Sequence, residues 1–133
     1  TSTFKDCVRL ESVTLPEGIT NIAWGAFEAC DNLTAVTLPD SLVTIGEKAF
    51  YSCEKLEQLT IPEGVTSIGA EAFSRCGFRE LILPTGITFI GEDAFEFCPG
   101  LTLTVERDSY ASDYAQDNGI EYAYEDANDW LYE

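Results

Sequence analysis

Histidine and methionine are absent from the 133 residues of this chain, and only seven residues are Lys or Arg. Without histidine there is no Ser-His-Asp or Cys-His arrangement, the commonest metal ligand is missing, and no general base near neutral pH is evident. The 24 acidic residues leave a net charge of −17, which repels phosphate backbones and anionic lipid headgroups, because binding to either depends on Lys and Arg. Nucleic acid and membrane surfaces are therefore set aside as partners. The phosphate-cradling GxxxxGK[ST] motif, GxGxxG after a strand and the DxDxDG calcium loop are missing as well, and no cysteine pair has the CxxC spacing of a zinc site. Nothing in the sequence asks for a catalytic role, a cofactor or a metal. No apolar run approaches the roughly 18 residues of a membrane span, and no charged start followed by an apolar stretch marks a signal peptide. Beginning at Thr1 with no methionine, the chain reads as a mature or excised portion of something longer.

What is present is periodicity. Hydrophobic residues make up 45% of the chain and aromatics 12%, the composition of one folded domain. Phenylalanines fall at Phe4, Phe27, Phe50, Phe73 and Phe95, and each is followed three residues later by a cysteine: Cys7, Cys30, Cys53, Cys76 and Cys98. The steps are 23, 23, 23 and 22 residues. Leu10, Leu33, Leu56, Phe78 and Leu101 keep the same beat, followed by Val13, Val36, Leu59 and Leu81. Next come Leu15, Leu38, Ile61 and Leu83, each directly before a proline, and then the pairs Ile19 with Ile22, Leu42 with Ile45, Val65 with Ile68 and Ile87 with Ile90. The 22-residue step arises because Cys76 is followed by Gly77 and Phe78, one residue short of the interval from Cys30 to Leu33. The larger Phe78 then fills the Leu column where the turn is shorter.

Such matched columns mean one coil of chain per unit. The Val13-to-Leu15 alternation makes a short strand, which the following proline ends because it has no N–H for a ladder. Gly18, Gly64 and Gly86, with Ser41 in the second unit, permit a tight turn into a second extended piece such as 19–22. Gly46, Gly69 and Gly91 mark another bend, after which Ala-Phe pairs such as Ala49 and Phe50 enter a helical turn back to the next strand. The expected fold is a repeat solenoid: short parallel β-strands with helical turns, about five coils of 22–23 residues, and a helix-strand cap at the C-terminal end. Stacking at strand spacing gives about 4.8 Å per unit. Phe4, Phe27, Phe50, Phe73 and Phe95 with the five cysteines form its core ladder. Equivalent cysteines in one column point inward in parallel and their count is odd, so five free, buried thiols are expected, countable by thiol titration of the denatured protein. Glu17, Asp40 and Glu63 also form a column, which reads as solvated turns; a calcium ladder over it would appear in calorimetry.

The pattern Leu-x-x-Val-x-Leu-Pro, Ile-x-x-Ile-Gly, Ala-Phe-x-x-Cys, seen from Leu56 through Cys76, resembles the BspA-like, or Treponema pallidum type, leucine-rich repeat, and does so from residue 4 to about 105. The segment after it, from Val105 through Ala111 to Tyr114, Ala115 and Gly119, resembles the terminal unit of such arrays. Asp108 or Ser109 can cap a helix there, Tyr110, Ala111, Tyr114 and Ala115 share one face, and Gly119 suits a left-handed exit. Residues 1–105 are thus read as repeats, with the N-terminal unit truncated, and 106–124 as a cap with a helix at about 109–118 and a strand at about 120–124. Residues 125–133 are read as an acidic tail in which Trp130 and Leu131 either pin the end or belong to a next domain. The resemblance implies an extracellular or cell-surface protein of host-associated bacteria or parasitic protists, with adhesion to a host extracellular protein as its role.

On each strand the side chains flanking the inward pair face out: Ser12 and Thr14, Ala35 and Thr37, Gln58 and Thr60, Glu80 and Ile82. On the second extended piece they are Thr20 and Asn21, Val43 and Thr44, Thr66 and Ser67, Thr88 and Phe89. Threonine in such ribbons suits exposed strands and also suits a binding face, and both readings stand. The candidate contact residues are Phe89, Ile82, Val43, Thr14, Thr37, Thr60 and Gln58, together with Trp24, which stands on a turn where other units carry Glu47, Ala70 or Glu92. The leading expectation is an adhesin-type protein-binding module. Its alternatives are a spacer displaying another domain and a carbohydrate-binding accessory module. Phe4, Cys7 and Leu10 enter in mid-unit, so no preceding coil covers the first: either more repeats lie upstream, or two copies pair end to end through that uncapped edge.

Overall fold

The computed structural model describes residues 4–124; residues 1–3 and the acidic tail, with Trp130 and Leu131, lie outside the described residues. Counting each coil from its phenylalanine, coil one holds β1 (Ser12–Thr14) and β2 (Asn21–Ile22), and coil two holds β3 (Ala35–Thr37) and β4 (Thr44–Ile45). Coil three contributes β5 (Ser67–Ile68), and coil four β6 (Glu80–Ile82) and β7 (Phe89–Ile90). Coil five supplies β8 (Thr102–Val105), followed by α1 (Tyr110–Asp117) and β9 (Glu121–Tyr124). All pairings are parallel and unite like positions of successive coils: Val13 with Val36, Ile22 with Ile45, Ile45 with Ile68, Ile68 with Ile90. The structure is a parallel solenoid of about five turns, because only neighbouring coils can bury the apolar face that each unit presents.

The phenylalanines form a spine. Rings of Phe4, Phe27, Phe50, Phe73 and Phe95 stack in sequence with centroids 5.3, 5.2, 5.5 and 5.6 Å apart and planes within 10° of parallel. Beside it runs a ladder of thiols: the Sγ atoms of Cys30, Cys53, Cys76 and Cys98 each donate to the main-chain oxygen of the phenylalanine one coil earlier, all at 3.1 Å. These thiols therefore bond along the stack and not to one another, and all five cysteines are free; Cys30, Cys53 and Cys76 are buried, but Cys7 and Cys98, in the first and last coils, are only partly so, because each has a neighbouring thiol on one side alone. Phe78 fills the Leu column and meets Phe73 edge to face at 5.5 Å.

Between the Gly46-type bend and the next strand, the chain returns through linked i→i+3 turns, as in Ala26 N–H to Ala23 C=O and Cys30 N–H to Phe27 C=O. Left-handed residues divide these turns at fixed places. Gly25, Lys48, Glu71 and Asp93 lie two positions before a phenylalanine, and Asp6, Ala29, Ser52, Arg75 and Phe97 two positions after one, all with φ between 56° and 65°. Their cost is offset by rungs they help aim, such as Ala29 N–H to Tyr51 C=O at 2.7 Å and Ser52 N–H to Ser74 C=O at 2.8 Å. The glycines divide by purpose. Gly18 is at φ 102°, whereas Gly64 and Gly86 take ordinary φ values; Gly46, Gly69 and Gly91 are there for close approach, since a Cβ would lie 2.5, 2.5 and 2.3 Å from the main chain of the preceding coil.

The C-terminal end is closed in two ways. Ser109 caps α1 and shares a reciprocal capping box with Ser112, Ala111 and Ala115 face the core, and Gly119 leaves at φ 66°. Tyr110 Oη accepts from Ile90 N–H at 3.0 Å and donates to Ile90 C=O, while Tyr114 Oη donates to Gly91 C=O at 3.1 Å. Two phenols thus stand where the next coil's main chain would bond β7. β9 covers β8 and is the last strand among the described residues.

One interruption breaks the order. The second ribbon, β2-β4-β5-β7, is continuous, but the first splits into β1-β3 and β6-β8-β9. Residues 58–60 of coil three occupy the intervening position, yet no main-chain hydrogen bond joins 57–61 to either neighbour. Coil three marks a change of turn length: Val13, Val36 and Leu59 each follow their cysteine by six residues, whereas Leu81 and Leu103 follow theirs by five. The shortened turn brings Gly77 against coil three, where a Cβ would lie 2.4 Å from Glu54 C=O. Leu59, in the column of buried Val36 and Leu81, is left half-buried.

Candidate binding surface

Alternation along the strands determines what the two ribbons present. In the second ribbon Ile22, Ile45, Ile68 and Ile90 are buried, and Asn21, Thr44, Ser67 and Phe89 form the outward register. Phe89 is 52% exposed and is the one aromatic in that column; Val43, just before β4, is 41% exposed in a column otherwise of threonine. In the first ribbon Thr14 and Thr37 are exposed on β1 and β3, and Ile82 is 52% exposed on β6. Gln58 and Thr60 are exposed too, but in the unbonded stretch of coil three and not on a strand.

Together with Glu57, Leu59, Arg79, Glu80 and Ile82, Gln58 and Thr60 line a groove of about 270 Å³ between coils three and four. The structure thus brings Gln58, Thr60 and Ile82 together, and leaves Phe89 and Val43 on the other ribbon. Trp24 belongs to neither strand. Its Nε1 donates to Glu47 Oε2 at 2.9 Å, which fixes the ring against the next coil while 46% of the residue stays exposed.

Some surface features have no counterpart in the sequence reading. Phe97 is 60% exposed at a left-handed position and lies under the Arg75 guanidinium, 4.5 Å from the ring centroid. Its only sequence signal is that a bulky ring replaces Asp6, Ala29, Ser52 and Arg75 in that column. Glu57 and Arg79 enter the groove only because the ladder opens there. A larger hollow of about 960 Å³ at the C-terminal end is lined by Phe95, Phe97, Tyr114, Tyr122 and acidic Asp93, Glu96 and Glu121 among others.

The buried thiols are chemically quiet. Burial pushes Cys53 up to about 12 and holds Cys76 well above the ordinary thiol value, with Cys30 and Cys98 shifted the same way. A protonated, enclosed thiol is a poor nucleophile and a poor metal ligand. In the carboxylate column Glu17 accepts from Asp40 N–H at 3.2 Å, tying one turn to the next. Among the described residues no group of carboxylates and thiols is arranged to hold a metal ion, and no helix is long and apolar enough to cross a membrane.

The family model described as "BspA type Leucine rich repeat region" matches residues 1–102 in six copies. Among solved structures, a leucine-rich repeat protein from Bacteroides ovatus is 36% identical with a TM-score of 0.74, covering 78% of this chain and 27% of its own. The Treponema pallidum leucine-rich repeat protein is 35% identical with a TM-score of 0.77, covering 78% of this chain and 50% of its own. The pneumococcal vaccine antigen PcpA shares the fold at 21% identity and a TM-score of 0.73, over 94% of this chain and 38% of that one. The chain therefore spans between about a quarter and a half of these relatives. No curated protein matches it.

Proposed function

Since the chain belongs to the BspA-type leucine-rich repeat family, we propose that it is a secreted or cell-surface, adhesin-type protein-binding module whose second ribbon is the contact face. Phe89 carries the reading. It is an exposed aromatic on a continuous sheet, in a column where Asn21, Thr44 and Ser67 present small polar side chains. An aromatic held this way offers a large apolar contact at little cost in conformational entropy. Val43 and Trp24 extend the apolar area along the same solenoid. The partner is a protein, since the surface charge disfavours nucleic acid and lipid.

The test is an array of extracellular host proteins and glycans probed with the parent chain and with Phe89→Ala. Selective capture of a protein that weakens at least tenfold in the variant supports the module. Capture of glycans instead transfers the function to a carbohydrate-binding accessory. Silence favours the spacer, for which the stacked phenylalanine spine supplies the stiffness.

A further inference from the structure

We infer that the break in the first ribbon is a docking groove for a short extended peptide segment of the partner, read through its main chain and carrying a basic side chain. This deepens the protein-binding reading and rests on it, but uses a different surface from Phe89.

Three observations lead there. First, the main chain of 57–61 has no hydrogen-bonding partner in either neighbouring coil, although Glu57, Gln58 and Thr60 are exposed and the equivalent stretches of coils one, two, four and five are paired as β1-β3 and β6-β8. Peptide groups left without a partner by the neighbouring coils are ones that an extended chain can meet with directed N–H and C=O contacts, as in strand addition to a sheet edge. Second, the groove walls combine apolar and charged side chains. Half-buried Leu59 and 52% exposed Ile82 offer an apolar foothold, with Glu57 and Glu80 beside it against Arg79. Third, charge selects the occupant. Glu57 and Glu80 line the groove against the single basic residue Arg79, within a chain of net charge −17, so a segment with an acidic side chain is repelled and one with Lys or Arg is favoured.

The break has an identifiable cause, which makes it reversible. Coils one and two share the longer Cys-to-strand turn and pair, and coils four and five share the shorter and pair; coil three has the longer turn and meets the shorter turn of coil four, so the mismatch accounts for the side of 58–60 that faces coil four. Inserting one Ser between Cys76 and Gly77 gives coils three and four the same turn length and is expected to pair 58–60 with coil four, moving the mismatch to coils four and five, without altering charge.

The probe is a fluorescein-labelled heptapeptide of alternating Lys and Val, followed by fluorescence anisotropy. Expected are saturable binding to the parent chain, at least tenfold weakening when alternate peptide nitrogens are methylated, and at least tenfold weakening when Lys is replaced by Glu. The Ser insertion is expected to remove binding at least tenfold while hydrogen exchange at Gln58–Ile61 slows. Should the insertion fail to fold, Ile82→Thr, which gives coil four the residue of its column, is expected to weaken binding several-fold with the far-ultraviolet circular dichroism unchanged. Phe89→Ala is expected to leave peptide binding unaltered, so loss of a whole-protein partner and loss of the peptide report on separate surfaces. No binding, equal binding of the methylated peptide, or full binding by a folded insertion variant with a protected 58–61 each overturns the groove.

Discussion

In the second ribbon, strands of only two residues pair without a gap from β2 to β7, whereas in the first, strands of three or four residues pair at both ends and fail in the middle. Strand length therefore does not decide continuity. The difference lies in what adjoins each ribbon. Gly46, Gly69 and Gly91 follow the second ribbon immediately and bring backbone against backbone, which locks the coils at one spacing. The first ribbon follows the return turn, whose length changes at Gly77, so a missing residue there is passed directly to the strand. The phenylalanine spine lies before the change and crosses it intact, with Phe50 and Phe73 still stacked at 5.5 Å.

The largest effect should come from breaking what both ribbons share. Phe50 is fully buried between two rings, and Phe50→Ala is expected to cost about 3–5 kcal/mol in denaturant unfolding, from lost transfer energy and the cavity left behind. The comparison of ribbons is sharpened by the Leu column. Leu81→Ala, in a paired strand and 1% exposed, should cost about 2–4 kcal/mol, and Leu59→Ala, half-buried in the gap, about half as much. Equal losses would mean that the two strands are equally well packed.

The lock on the second ribbon is tested next. In Gly69→Ala the new Cβ meets Glu47 N at 2.5 Å and Gly46 C at 2.8 Å, both main-chain atoms that cannot swing aside, so a loss of about 1–3 kcal/mol is expected. Gly86→Ala, with ordinary φ and its nearest neighbour at 3.9 Å, should instead be neutral or stabilising by up to about 1 kcal/mol, because alanine restricts the unfolded chain more. Thermal unfolding of the pair distinguishes close approach from a general need for glycine.

The thiol ladder sets a pH limit. Cys53 and Cys76 titrate higher in the folded chain than in the unfolded one, where the value is near 9.0. The folded state therefore holds those protons more tightly, so their contribution is complete below about pH 9 and is lost as the pH climbs toward 12. Each adds up to about 1.4 kcal/mol of destabilisation per pH unit in that window. Cys53→Ala should flatten the alkaline slope measured by denaturant titration between pH 9 and 11, and an unchanged slope would place the titrating groups elsewhere.

The columns of Phe27, Cys30, Val36 and Ile45 were legible because repetition at one beat requires that like residues stack, and a strand's alternation assigns Thr37 and Phe89 to the outside. The helix-strand cap was legible from Ser109, Ala111, Ala115 and Gly119, whose roles are local. The gap at Gln58–Thr60 was not, because Leu56 to Ile61 reads like any other strand of the set; its cause lies in the next coil, at Gly77. The groove residues Glu57 and Arg79 were hidden for the same reason. The left-handed turn residues were hidden too. Only Gly25 advertises them, while Lys48, Glu71 and Asp93 take the same φ because the neighbouring coils aim their N–H and C=O groups.

Those turn residues give the smallest effect and the finest contrast. Ala29 sits at φ 61°, where an L-residue pays about 1–2 kcal/mol for its Cβ, and glycine pays little. Against this relief stands the greater freedom of glycine in the unfolded chain, about 0.5–1 kcal/mol. The difference predicts that Ala29→Gly raises stability by roughly 0.5–1 kcal/mol in chemical denaturation. At exposed Ala35, in the extended backbone of β3, there is no strain to relieve, so Ala35→Gly should lower stability by about 0.5–1 kcal/mol. The same exchange then has opposite signs at two positions six residues apart in one coil. If both variants lose stability together, the left-handed turn at Ala29 carries no strain, and the regular return turns owe nothing to the rungs between them.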